Sequence, residues 1–150
     1  METDLESGIA GENHTLRVFT VELVFSTKQT HSPRMSLFDV ARPNPAGFRE
    51  LSPTEVPVPV PAGLRLIDVR EPHEFVGELG HVPGATLVPL ATVPAQAMSW
   101  DRQAEYLLVC RSGGRSAQAA QALVRAGFGR VVNLSGGMLA WNQAGLKTEK

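Results

Sequence analysis

The chain of 150 residues holds a single cysteine, one tyrosine and two tryptophans. One thiol makes no internal disulfide, so the fold must be held by packing, as suits a reducing compartment. A surplus of basic residues is also missing: 14 lysines and arginines stand against 15 aspartates and glutamates, for a formal net charge of -1. No charge run or basic stripe announces a nucleic acid or an anionic membrane as partner. Long apolar runs are lacking as well. The most hydrophobic N-terminal stretch, Val18 to Phe25, is interrupted by Thr20 and Glu22, which excludes the apolar centre of a secretory signal and a membrane span. A cytoplasmic protein is expected.

The polar first part of the chain differs from the rest. Within it Phe19, Val21, Leu23 and Phe25 alternate along Arg17 to Phe25, a strand pattern. Residues 1–46 are therefore expected to be an N-terminal extension, either disordered or adding one strand, with Arg42 to Gly47 as a linker. Met35 offers a second start of translation. Residues 47–150 are expected to form one domain.

From Phe48 the pattern becomes regular. Phe48 to Leu51 is an edge-strand candidate, and Ser52-Pro53-Thr54-Glu55 has capping-box spacing with proline at the first helical position. Val56 to Pro61 alternates valine and proline, so it is extended and unfit for the middle of a sheet. Strands are expected over Leu64 to Val69, Ala85 to Val88, Tyr106 to Val109 and Val131 to Leu134. Helices are expected over Glu71 to Glu78, Val93 to Trp100, Ser116 to Ala126 and from Gly136-Gly137 to near Gly145. Ala117, Ala120, Leu123 and Val124 give the third of these one buried face. Such alternation implies an α/β fold: a central parallel sheet with helices on both faces, whose ligands bind beyond the carboxyl ends of the strands.

Cys110 stands at such an end. It follows the apolar run Tyr106 to Val109 and opens the loop Cys110, Arg111, Ser112, Gly113, Gly114, Arg115 before a helix that begins near Ser116. A helix N-terminus offers unpaired N–H groups and the positive end of a dipole, and glycines let the backbone approach an anion closely. Arg111 and Arg115 add formal positive charge. An ordinary cysteine, with a pKa of about 8.5, is only about 3% thiolate at pH 7, and each of these influences raises that fraction. A cysteine that merely packs has no use for two glycines and two arginines directly after it, so Cys110 is read as a nucleophile. The chain's histidines, His14, His31, His73 and His81, show no metal-ligand spacing with Cys110. No metal and no cofactor are expected. Trp100 and Trp141 are read as core residues on helix faces.

Four segments, IDVREPHEF from Ile67, GHVPGA from Gly80, VCRSGGRS from Val109 and NLSGGMLAW from Asn133, occur in the order found in rhodanese domains, and the chain from about residue 48 to 146 resembles that family. The resemblance implies a rhodanese-like α/β fold and a thiosulfate sulfurtransferase. Cys110 would accept sulfane sulfur as a persulfide, cradled by Arg111, Ser112, Gly113, Gly114, Arg115 and Ser116, and pass it to cyanide or a thiol. Arg115 is expected to hold the loop and the anionic intermediate, and Arg111 to meet an anionic donor such as thiosulfate. Asp68, Arg70 and Glu71 are expected to form an ion network that positions neighbouring loops; in rhodanese-like domains the matching aspartate and arginine look structural.

Two other readings compete. Phosphatases and arsenate reductases of related fold also close a cysteine loop with arginine, but their pattern places five residues between the two. Here four lie between Cys110 and Arg115, and Ser116 stands where that arginine would fall. The second is a persulfide carrier that delivers sulfur to a specific protein acceptor. It uses the same chemistry at Cys110 and differs only in its surface.

Overall fold

Four consecutive residues, Val131–Leu134, are all buried, as happens in a strand only when both faces of its sheet are covered. The computed structural model of the protein describes residues 36–150. The strand expected over Arg17 to Phe25 and the start at Met35 lie outside them. The elements in chain order are α1 (Leu37–Val40), β1 (Arg42–Pro43), β2 (Arg49–Leu51), a 3-10 turn (Pro53–Glu55), β3 (Leu64–Asp68), α2 (Pro72–Phe75) and β4 (Thr86–Leu87). A second 3-10 turn (Leu90–Thr92) then leads to α3 (Val93–Ala97), β5 (Glu105–Val109), α4 (Gly114–Arg125), β6 (Val131–Leu134) and α5 (Gly137–Gln143).

The six strands form one sheet in the order β1-β2-β6-β5-β3-β4, parallel except for the β1–β2 pair. Alternation along the strands divides the interior into two layers. Tyr106, Leu108, Cys110 and Val131 pack with α3 and α4 through Val93, Ala97, Ala120 and Leu123. Leu107, Val109, Val132 and Leu134 pack on the opposite side with Leu37, Met138 and Trp141. Trp141 is buried, and its indole N–H donates to the Lys147 carbonyl at 2.9 Å. Trp100 is half-buried just beyond α3, stacked on Tyr106 with centroids 5.3 Å apart.

Connectivity fixes where chemistry can sit. From β3 the chain runs outward to β4, whereas from β5 it runs the other way to β6, although β3 and β5 are hydrogen-bonded neighbours. Departure in opposite directions opens a crevice at the carboxyl ends of these two strands, the switch point where ligands of α/β sheets bind. Asp68 ends β3 and pairs with Val109, so Cys110 emerges at that crevice.

Several elements depart from their expected bounds. Arg42–Gly47 is not a linker. It is a hairpin in which β1 pairs with β2, closed by Gly47 N–H to Asn44 O at 2.9 Å and Ala46 N–H to Asn44 Oδ1 at 2.8 Å. Proline, asparagine and glycine mark linkers and tight turns alike. Leu37 and Ala41, just before it, are buried in the Trp141 layer. The expected helix over Glu71 to Glu78 is one turn, Pro72–Phe75. A Cβ on Gly77 would lie 2.8 Å from the His73 carbonyl, so glycine is what fits where the chain turns away.

Candidate active site

Cys110 is 1% exposed, and its Sγ accepts hydrogen bonds from the Gly113 N–H at 3.0 Å and the Ser116 hydroxyl at 3.3 Å. The turn that brings these donors round is made by Gly113, whose φ of 103° is the left-handed region and which caps α4. Burial pushes the thiol pKa up. The Ser116 hydroxyl and the amides of Ser116, Gly113 and Ser112 push it down, and the downward influences prevail, so the pKa lies below its ordinary value. Arg111 and Ser112 are exposed at the loop's outer edge.

The loop is braced from behind by the second glycine pair. Met138 N–H donates to the Cys110 carbonyl at 2.9 Å and Leu139 N–H to the Arg111 carbonyl at 3.0 Å. With those carbonyls tied to the first turn of α5, the loop's peptide planes are fixed. The approach demands glycine: a Cβ on Gly137 would lie 2.4 Å from the Cys110 carbonyl oxygen and 2.6 Å from that of Arg111.

Arg115 lies in the first turn of α4, and its guanidinium forks onto the Glu74 carboxylate, Nη1 to Oε1 and Nη2 to Oε2 both at 2.8 Å. This bond to α2 crosses the crevice. Arg115 therefore anchors the loop's end to a separate element, and the loop amides and Ser116 are the groups on the sulfur. Arg115 holds the Glu74 carboxyl at about 2, and Glu74 in turn raises the arginine's pKa.

Below the crevice Asp68 and Arg70 form a fully buried ion pair, with Nε to Oδ1 at 2.9 Å and Nη2 to Oδ2 at 2.7 Å. The same guanidinium donates to the Gly80 carbonyl at 2.7 Å and to the Glu74 carbonyl at 3.2 Å. Arg70 thus ties β3, α2 and the Gly80 turn together, and its many satisfied donors are what a charge needs to be tolerated in the interior. Glu71 caps α2 and is exposed. His81 stacks on Phe75 at 3.6 Å between centroids, with Nδ1 2.8 Å from the Phe75 carbonyl. Among the described residues no cluster of three or more His, Cys, Asp or Glu is placed to hold a metal ion, and no helix is long and apolar enough to cross a membrane.

The Rhodanese-like domain pattern matches residues 53–144, and these residues carry the crevice, the cysteine loop and its brace. The chain belongs to the rhodanese-like domain family. It is 38% identical over 81 residues to a sulfurtransferase of Allochromatium vinosum, a match that covers 54% of this chain and 74% of that protein. It is 39% identical over 100 residues to the chloroplastic thiosulfate sulfurtransferase 16 of Arabidopsis thaliana, covering 59% of this chain and 82% of that one. The match to an uncharacterized protein of Synechocystis is 44% identical over 85 residues but spans only 46% of that protein's length. Among solved structures, the rhodanese-like domain protein of Staphylococcus aureus superimposes with a TM-score of 0.54 at 29% identity, covering 67% of this chain and 98% of that one.

Some members of this rhodanese-like site were not singled out from sequence. Glu74 is one. Asn133 is another: its Oδ1 meets the Ser116 hydroxyl at 2.5 Å while its Nδ2 donates to Glu50 Oε1 at 3.1 Å. An asparagine at the buried third position of an apolar strand is the signal that marks it, since a polar group there needs partners.

Proposed function

We propose that this rhodanese-like domain is a sulfurtransferase that carries sulfane sulfur on Cys110 as a persulfide, taking it from thiosulfate or a related donor and giving it to a thiophilic acceptor. The observation that carries this reading is the sulfur's surroundings: a thiol with lowered pKa at the carboxyl end of a central strand, its Sγ accepting the Gly113 amide at 3.0 Å. In the first step the Cys110 thiolate attacks the outer sulfur of thiosulfate. The bond between the two sulfurs of thiosulfate breaks and sulfite leaves with its electron pair. In the second, cyanide or a thiolate attacks the outer sulfur of the persulfide, and Sγ leaves as thiolate. No proton moves in either step, so no general base is needed. The negative charge stays within reach of fixed loop amides, which need not reorganise.

An oxyanion-binding phosphatase is less well supported. Such an enzyme needs an arginine that faces the anion, whereas Arg115 is engaged at both ends of its fork by Glu74. The test is incubation with thiosulfate followed by intact mass under non-reducing conditions. One added sulfur atom is expected, absent in Cys110→Ser and lost as thiocyanate appears on adding cyanide. No gain from thiosulfate or from a small-molecule persulfide would sink the proposal.

A further inference from the structure

Glu50 and Asn133 are register partners on the parallel strands β2 and β6, and Asn133 lies opposite Leu108 of β5. Leu108 belongs to the layer of α4, so strand alternation turns Glu50 and Asn133 toward that same side of the sheet. Their side chains lead to the nucleophile. Glu50 Oε1 accepts from Asn133 Nδ2 at 3.1 Å, Asn133 Oδ1 meets the Ser116 hydroxyl at 2.5 Å, and that hydroxyl lies 3.3 Å from Cys110 Sγ. Ser116 and Asn133 are buried and Glu50 is half-buried, so the inner members depend on one another for partners.

The direction of this chain is dictated from its outer end. A carboxylate only accepts, and Glu50 is surrounded by donors: Asn133 Nδ2, the Ser135 hydroxyl at 2.9 Å and Asn44 Nδ2 at 3.3 Å. The amide nitrogen of Asn133 is therefore committed to Glu50, with the Gly113 carbonyl at 3.3 Å as its second acceptor. Its oxygen is left facing Ser116, where it competes with the sulfur for the single hydroxyl proton.

We propose that Glu50 is a positioning residue: it holds the Asn133 amide so that the Ser116 hydroxyl donates to Asn133 while Sγ is neutral and turns to Sγ when the sulfur is a thiolate. The inference rests on the sulfurtransferase reading above, in which Cys110 alternates between those two conditions. In the persulfide Sγ is a bridging, uncharged sulfur and a poor acceptor, so the serine proton rests on Asn133. When an acceptor takes the outer sulfur, the electron pair of the broken bond stays on Sγ. The hydroxyl then rotates to that charge, and the proton never leaves its oxygen. Glu50 sets the balance, because a firmly held amide makes the thiolate draw the serine proton away against competition. That competition makes the sulfur a better nucleophile and a poorer leaving group.

The chain has one cysteine, so the ultraviolet absorbance of its thiolate can be titrated without interference from a second thiol. Burial raises the pKa of the one tyrosine, Tyr106, so its own ionisation lies to the alkaline side. Glu50→Gln and Glu50→Met remove the same charge and fill similar space, but only glutamine keeps an oxygen for Asn133. Neither alters the charged groups around the loop, which are Arg111, Arg115 with Glu74, and the Asp68–Arg70 pair. The midpoint of Glu50→Met is expected about half a pH unit below that of Glu50→Gln, a fraction of what one hydrogen bond is worth. In a Ser116→Ala background the two midpoints should coincide, because no hydroxyl remains to pass the difference on. Equal midpoints with Ser116 present, or a difference that persists without it, would overturn the proposal.

A second measurement leaves position 50 alone and so does not depend on either variant folding. Below the midpoint the Ser116 oxygen, with its proton on the Asn133 side, accepts from the thiol. The infrared S–H stretch should then lie at lower frequency than in Ser116→Ala, and one frequency for both proteins would equally overturn the assignment. Failure to load sulfur, from thiosulfate or from a persulfide donor, is read by intact mass and would overturn the sulfurtransferase reading instead.

Discussion

Glu74 and Arg115 lie 41 residues apart in the chain and meet fork to fork, each of their two contacts 2.8 Å long. The same carboxylate accepts the Glu71 N–H at 3.0 Å, capping α2. One side chain therefore starts a helix and ties down the end of the cysteine loop, and the geometry around Cys110 depends on a residue outside that loop.

That pair gives the domain an acid-sensitive contribution to stability. Arg115 holds the Glu74 carboxyl at about 2 in the folded state, below its unfolded value of about 4.3. A depressed carboxylate stabilises the fold in full above the unfolded pKa and loses that contribution as pH falls toward the folded one. Glu74→Gln is expected to cost about 1–2 kcal/mol at neutral pH, between exposed and buried pairs. The gap should close between about pH 5 and about pH 2, as followed by urea unfolding. A gap that stays constant over this range would show that the ion pair does not supply it.

Ser116 has one hydroxyl proton and three acceptors within reach: Cys110 Sγ at 3.3 Å, the Gly113 carbonyl at 3.3 Å and Asn133 Oδ1 at 2.5 Å. Ionisation of the sulfur makes it the charged member of the three, and hydrogen bonds to ions are the stronger ones. Ser116→Ala should therefore raise the Cys110 pKa, because burial then acts against fewer compensating donors. Thiolate absorbance titrated against pH is expected to move its midpoint upward, with thiosulfate turnover at pH 7 reduced and partly regained in more alkaline buffer. An unmoved midpoint would assign the serine proton to Asn133 Oδ1 or the Gly113 carbonyl instead of the sulfur.

Two glycines with positive φ provide an internal comparison. Gly137 has φ 56° and no room for a Cβ, whereas Gly145 has φ 73° and open space. Gly145→Ala should cost about 1–2 kcal/mol from backbone conformation alone. Gly137→Ala adds a clash with the carbonyls of Cys110 and Arg111, for about 2–5 kcal/mol in all, and should impair sulfur loading in the fraction that remains folded. Equal thermal shifts and equal activities for the two variants would remove the bracing role from α5.

Most of the sheet could be read from the chain because its signals are local. Val131–Leu134 has the bounds its apolar run suggests, and Glu105–Val109 starts one residue before the run that begins at Tyr106. Asp68 and Arg70, two positions apart, form a buried ion pair, whereas Glu71, expected in the same network, stands exposed as the cap of α2. The helix after the loop starts at Gly114 instead of Ser116, because the left-handed Gly113 already supplies the turn. What stayed hidden depends on residues brought together by topology. Nothing within Glu71 to Glu78 tells which of its acids meets Arg115. Gly136-Gly137 has the composition of a helix opening, and its second task, clearance for the loop carbonyls, exists only once β5 and β6 lie side by side. On the helix face, Ala120 and Leu123 are buried, whereas Ala117 and Val124 pack only at its margin.

At Cys110 the side chain belongs to the layer of α3 and α4, while the carbonyl is held by α5 in the layer of Trp141. The residue is thus a rivet through the sheet. Loosening of either layer would displace it, so the placement of the Cys110 thiol is expected to follow the cooperative integrity of both layers.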